Sequence, residues 1–153
     1  MRTWKDITGA LYGTDKYVGG PALYFEGEYY YTLYLESLGN GCYETRITRS
    51  EDLVNWEDAP DDRPFITFDT THKNIPLHEP DVAECYASDV ELCYYKGGTI
   101  LYFTGGDQHR CGDLQRATYE GTPQQLFEHF FKDTKNQPRY GWDEQSQMPW
   151  ASL

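Results

Sequence analysis

Two stretches of this chain are near copies of each other. Around Gly27 the sequence runs Gly20-Pro21-Ala22-Leu23-Tyr24-Phe25-Glu26-Gly27-Glu28-Tyr29-Tyr30-Tyr31-Thr32-Leu33-Tyr34. Around Gly97 it runs Asp89-Val90-Glu91-Leu92-Cys93-Tyr94-Tyr95-Lys96-Gly97-Gly98-Thr99-Ile100-Leu101-Tyr102-Phe103. Each is an apolar strand, a turn built on glycine and a second, Tyr-rich strand, which is the pattern of a β-hairpin. The turn glycines lie 70 residues apart, and that offset lays Arg46-Ile47-Thr48 on Arg116-Ala117-Thr118 and Leu53 to Trp56 on Pro123 to Leu126. A multi-stranded repeat of this period points to β-propeller blades. The expected fold is all-β: two four-stranded antiparallel sheets, part of a five-bladed propeller, with a short C-terminal helix.

Strands are expected at 21–26, 29–36 and 42–49, with Gly39-Asn40-Gly41 as the last turn. Ser50 to Trp56 then reads as a tight or single helical turn, with Ser50 as its cap. Residues 58–86 are polar and broken by proline, with a short strand at 64–68. A connection this long inside a compact domain is commonly functional or flexible. Further strands follow at 89–95, 99–104 and 113–120. Thr122-Pro123 opens the best helix, to residue 132, with Leu126, Phe127, Phe130 and Phe131 on one face. Residues 1–153 therefore form a single domain or fragment with blade-like units at 18–57 and 87–132.

Charge narrows the partners. The 25 Asp and Glu against 13 Lys and Arg give a net charge of −12, which repels nucleic acid and anionic membranes alike. Aromatics make up 16% of the chain, including 14 Tyr and 4 Trp. Tyr suits half-buried strands, and its flat face with a phenol hydroxyl also suits sugars. The four cysteines form no Cys-x-x-Cys pair, so no structural zinc site is expected. The opening Met1-Arg2-Thr3-Trp4-Lys5-Asp6 has no apolar run, and no stretch is long enough to span a bilayer. Free thiols and a cytoplasmic location are the expectation.

The run Arg49-Ser50-Glu51-Asp52-Leu53-Val54-Asn55-Trp56 resembles the Arg-Ser-x-Asp-Leu-x-x-Trp signature of five-bladed propeller glycoside hydrolases, the relatives of family 43 arabinanases and family 32 invertases. Gly19-Gly20-Pro21 resembles the family's Glu-Gly-Pro strand opening, with glycine in place of the acid. Ala87-Ser88-Asp89-Val90 and Tyr102-Phe103-Thr104-Gly105-Gly106-Asp107 resemble a further blade. The signature itself supports the fold: Asp52 can accept backbone N–H bonds, Trp56 can fill a gap between blades, and Arg49 can pair with Asp52 or Glu57.

The resemblance implies catalytic carboxylates at the first residues of innermost strands, and glycoside hydrolysis needs two flanking the scissile bond. Asp89 is the main candidate, as base or as substrate-orienting acid; its plain reading is a cap on the strand entrance that bonds backbone N–H groups. At an offset of 70 its counterpart is Gly19, which has no side chain to offer. Glu79 and Asp81, beside His78 in the long connection, are the candidate replacements for the acid, with Glu84 near them. Glu91, two residues from Asp89, would share its face and could help hold Ca²⁺, though an ordinary ion pair with Arg116 or Lys96 is the preferred reading. Asp107 and Gln108 could contact a sugar or simply form a polar turn. No cofactor beyond that Ca²⁺ is implied.

A five-bladed ring at this period needs roughly three hundred residues. The chain is thus expected to be part of a longer propeller, to complete one by self-association, or to cover its open flanks with its lead-in and tail. The expected function is action on, or binding of, oligosaccharide in the manner of a glycoside hydrolase. The alternative is a non-catalytic carbohydrate-binding or structural fragment.

Overall fold

The computed structural model describes residues 12–68, 83–110 and 112–132. Three antiparallel strands, β1 (Gly19–Glu26), β2 (Tyr29–Gly39) and β3 (Cys42–Ser50), form the first unit, and the two-residue β4 (Glu57–Asp58) pairs with β3. A second meander follows: β5 (Tyr86–Tyr95), β6 (Gly98–Gly106) and β7 (Gly112–Tyr119). Helix α1 (Pro123–Phe131) comes last. One parallel pair, Tyr43 with Tyr86, joins β3 to β5 and so links the units. Among the described residues the first unit has four strands and the second three. The expected strand at 64–68 reduces to a single bridge between Thr45 and Ile66.

The repeat holds to the level of individual residue pairs. Every β1–β2 pair recurs 69 residues later between β5 and β6, from Gly19 with Leu35 (Ser88 with Thr104) to Glu26 with Tyr29 (Tyr95 with Gly98). Eight of the nine β2–β3 pairs do likewise: Tyr30 with Ser50 becomes Thr99 with Tyr119, and Ser37 with Tyr43 becomes Gly106 with Gly112. Even the bulge recurs, between Gly19 and Ala22 and again between Ser88 and Glu91.

The offset is therefore 69, not 70. The two-residue turns are Gly27-Glu28 and Lys96-Gly97, so the glycine holds the first place in one and the second in the other. Gly27 takes the left-handed conformation (φ 65°), and its counterpart is Lys96 (φ 49°), with Gly97 also left-handed (φ 89°). Matching glycine to glycine slips the register by one residue, and a one-residue slip exchanges the faces of a strand. Arg46 thus corresponds to Gln115 rather than Arg116, and Asp89 corresponds to Gly20 rather than Gly19.

The corrected register explains how the units stack. The core cluster takes Tyr31, Leu33 and Ile47 from the first unit, and Leu101 and Phe103 from the second. Subtracting the offset turns Leu101 and Phe103 into Thr32 and Tyr34, which alternate with Tyr31 and Leu33 along β2. Opposite faces of equivalent sheets therefore meet. A two-fold sandwich would bring like faces together; a head-to-tail stack brings unlike faces together. This is blade packing.

Helix α1 forms because Thr122 caps it reciprocally. The Thr122 hydroxyl accepts from the Gln125 N–H (3.2 Å), and the Gln125 side chain accepts from the Thr122 N–H (2.9 Å), with Pro123 in the first turn. Leu126 and Phe127 are buried as the sequence pattern expects. The Phe127 ring meets Tyr31 (4.8 Å), Tyr24 (5.6 Å) and Phe65 (6.0 Å), so the helix that ends the second unit packs back on the first.

The first unit's other face is covered in part by the lead-in. Tyr12 donates to Asp58 (2.5 Å), and Lys16 bonds Asp58 (2.9 Å) and Tyr34 (3.1 Å), over the buried Tyr34 ring. The second unit's outward face carries exposed Tyr102 and Leu114, the counterparts of buried Leu33 and Thr45.

Candidate functional site

Asp89 lies inside β5 rather than ahead of it, because the strand begins at Tyr86. It sits on the bulge, exposed, with a left-handed backbone (φ 53°). An L-residue there costs about 1 kcal/mol or more, though Asp tolerates it better than most. Its Oδ2 accepts hydrogen bonds from the Ser88 hydroxyl (2.6 Å) and the Tyr86 hydroxyl (3.0 Å). Ser88 is fully buried and Tyr86 nearly so, so both donors are fixed by the fold. A carboxylate held by two rigid hydroxyl donors is oriented and keeps its other oxygen available.

Facing that oxygen is Gly20, the counterpart of Asp89 on β1, also left-handed (φ 49°). A Cβ built at Gly20 would stand 3.0 Å from the Asp89 Oδ1. The two inner-strand bulges thus lie side by side, one bearing a carboxylate and the other bearing nothing. Glycine at this place keeps the backbone conformation unstrained and leaves the approach to Asp89 clear.

Two further candidates, Asp107 and Gln108, lie on the loop after β6. Tyr86 also lines an open cleft of about 310 Å³ with Thr104, Gln108, His109, Arg110 and Gly112. Gln108 is therefore in the same neighbourhood as Asp89. Asp107 holds its loop together: its Oδ1 accepts from the N–H groups of His109 (3.0 Å) and Arg110 (2.8 Å), and Arg110 also pairs with it at 3.7 Å. On the other side, Tyr43 meets Tyr86 edge-on (6.4 Å) and Tyr17 lies tilted against Tyr43 (5.8 Å), giving a short aromatic row that ends at Asp89.

Glu91 does not continue from Asp89 by simple alternation, because the bulge between Ser88 and Glu91 interrupts it. Its Oε2 accepts from the Tyr24 hydroxyl of β1 (3.2 Å). Burial, then the Glu91 charge and hydrogen bond, push the Tyr24 phenol up to about 12, so Tyr24 stays protonated as the donor. Lys96 lies over the Tyr95 ring (5.2 Å). Among the described residues no group of three or more His, Cys, Asp or Glu is placed to hold a metal ion. Glu84 is buried and accepts from the Gln115 amide (3.0 Å). Glu79 and Asp81, with His78, lie outside the described residues.

The signature turn behaves as a support. Ser50 accepts from the Leu53 N–H (2.8 Å), and Asp52 accepts from the N–H groups of Val54 and Asn55 (2.8 and 2.7 Å). Those bonds hold the Asp52 carboxyl well below the usual range. Arg49 pairs with Glu57 (2.7 Å) and with Glu128 of α1 (2.8 Å), its guanidinium between the rings of Tyr29 and Phe131. The open cleft of about 340 Å³ at this turn is lined by these same Arg49, Asp52 and Glu57 side chains. Trp56 packs against Tyr12 of the lead-in (5.5 Å).

No family model and no curated protein matches this sequence. Solved structures do. One described as a glycoside hydrolase superposes with a TM-score of 0.56 at 16% identity, over 79% of this chain and 34% of its own. This chain shares its fold of packed antiparallel blades with part of that structure. An endo-arabinanase of family 43 from Bacillus licheniformis matches over 71% of this chain and 34% of its own, at 22% identity and a TM-score of 0.45. A native arabinanase from Bacillus subtilis matches over 72% and 36%, at 18% and 0.46. The chain spans about a third of the length of these structures. The first of these likenesses, at 16% identity, establishes the fold alone. Tyr86, Ser88 and Gly20 had no signal in the sequence: Tyr86 looked like the end of a loop, and the Gly20 contact exists only between units.

Proposed function

We propose that this chain recognises oligosaccharide in the manner of a glycoside hydrolase, with Asp89 as its site carboxylate. The observation that carries the reading is Asp89 itself: a strained, exposed carboxylate on an inner-strand bulge, oriented by the Tyr86 and Ser88 hydroxyls. Strained backbone concentrates at functional sites because the surrounding fold must hold it in place. The row Tyr17, Tyr43 and Tyr86 supports a sugar ring beside it, and Gln108 supplies an amide. In this role Asp89 orients a substrate hydroxyl or activates water. Hydrolysis requires a second carboxylate, for which Glu79 and Asp81 are the proposed sources.

Gly20 favours a second reading, carbohydrate binding without cleavage, because the neighbouring blade brings no acid to the rim. Turnover of aryl-glycosides and calorimetric titration with arabino- and xylo-oligosaccharides separate the two. Turnover lost in Asp89→Asn supports catalysis; affinity without turnover, weakened by the same change, supports binding. Unaltered affinity and turnover in Asp89→Asn would refute both.

The reading includes self-association. The second unit's outward face is the counterpart of the first unit's buried face, which supports a further sheet seated there from a second copy. Light scattering that gives a monomer mass at every concentration would exclude this.

A further inference from the structure

Two cysteines flank the parallel strand pair that joins the units among the described residues. Cys42 opens β3, and Cys85 immediately precedes β5, so each stands one residue before the paired Tyr43 and Tyr86. The backbone is tied on both sides of Cys85: its carbonyl accepts from the Tyr43 N–H (2.9 Å), and its own N–H donates to the Gly106 carbonyl (3.0 Å). Its Sγ lies 3.7 Å from the Gly41 carbonyl, and Cys42 is its neighbour across the strand pair. Both thiols are half-buried, and both are reduced.

We propose that Cys42 and Cys85 form a reversible disulfide that staples the two units under oxidising conditions. The oxidant is a low-molecular-weight disulfide such as oxidised glutathione. The Cys42 thiolate attacks one of its sulfurs, forming a mixed disulfide and releasing one thiolate, which takes a proton. Cys85 then loses its proton and attacks the Cys42 sulfur, releasing the second thiolate. Two electrons pass from the protein thiols to the oxidant, which leaves as two thiols. Burial, with the Cys42 contact and the Asp107 charge, pushes the Cys85 thiol up to about 11, so Cys85 suits the second step better than the first.

Consequences follow from the position. Asp89 lies four residues beyond Cys85, on the strand that Cys85 precedes, and Gly20 belongs to the other unit. A staple here fixes the angle between the units and therefore the spacing of the two bulges. The proposal stands independently of any carbohydrate reading.

The test is exposure of the full chain to oxidised glutathione, alkylation of remaining thiols and mass mapping of the digest. Expected are an intact mass lower by two hydrogens, a linked Cys42–Cys85 peptide pair, and a higher melting temperature that reductant reverses. Cys42→Ser and Cys85→Ser should each abolish the rise, while Cys93→Ser, at an exposed site, should retain it. Full alkylation of both thiols in the oxidised wild-type chain, or a link that runs instead through Cys93 or Cys111, overturns the proposal.

Discussion

Replacing Leu33 and, separately, its repeat counterpart Tyr102 with alanine tests the head-to-tail stacking directly. The two side chains occupy equivalent places in equivalent sheets, yet Leu33 is 1% exposed and Tyr102 is 40% exposed. Leu33 sits among Tyr31, Ile47, Val90, Leu101 and Phe103, so its truncation removes contacts from both units. Three lost carbons correspond to about 2–2.5 kcal/mol of transfer energy. The cavity left in a core formed by two sheets raises the cost to about 3–5 kcal/mol. With a urea slope of about 2 kcal/mol per molar, the unfolding midpoint falls by about 1.5 M or more. Tyr102→Ala, on the open face, costs under about 1 kcal/mol in dilute solution. Urea titrations followed by fluorescence measure both. Equal losses for the two variants, or a Leu33→Ala cost below about 1 kcal/mol, would refute the stacking derived from the register.

Thr122→Ala removes the reciprocal cap of α1 and should cost about 1 kcal/mol, with Thr122→Ser recovering most of it in the same titration. Gly20→Ala forces an L-residue into the left-handed region and brings a methyl against the Asp89 carboxylate, so it should lose about 1–2 kcal/mol of stability. Unchanged unfolding in that variant would contradict the placement of the two bulges. Acid should weaken the fold through Asp52 and Asp58. For Asp58, burial raises the carboxyl, but the bonds from Tyr12, Lys16 and Thr48 outweigh it and leave it lowered; Asp52 is lowered by its backbone bonds. A lowered folded-state value means stability fully present above the ordinary carboxylate range, about pH 4, and lost as pH falls through the lowered values. The slope of urea midpoint against pH below 4 should flatten in Asp58→Asn; a slope identical to wild type would exclude Asp58 as a contributor.

The helix was legible because its signals are local: a threonine cap, a proline in the first turn and aromatic residues three and four apart. The hairpins were legible for the same reason, through alternating strands around glycine. The offset of the repeat was not, since Gly27 and Gly97 fill different places in their turns, and only the hydrogen-bonded pairs reveal which residues correspond. Asp89 was recognisable as a candidate from its resemblance to a family motif. Its bulge, its two hydroxyl donors and its bare counterpart on β1 were not, because the donors act through folded geometry and Gly20 is 69 residues distant.

The amino-acid pattern by itself determined that this chain folds into two like sheets and a capped helix, for strand alternation and capping depend on neighbours in the chain. Which face of each sheet would be buried was decided only by tertiary structure. Apolar residues occupy both faces of β2, so alternation alone leaves the choice open. Stacking made that choice, and in doing so brought Gly20 beside Asp89 and Cys42 beside Cys85. Such contacts join segments far apart in sequence, where local preference carries no information about the partner.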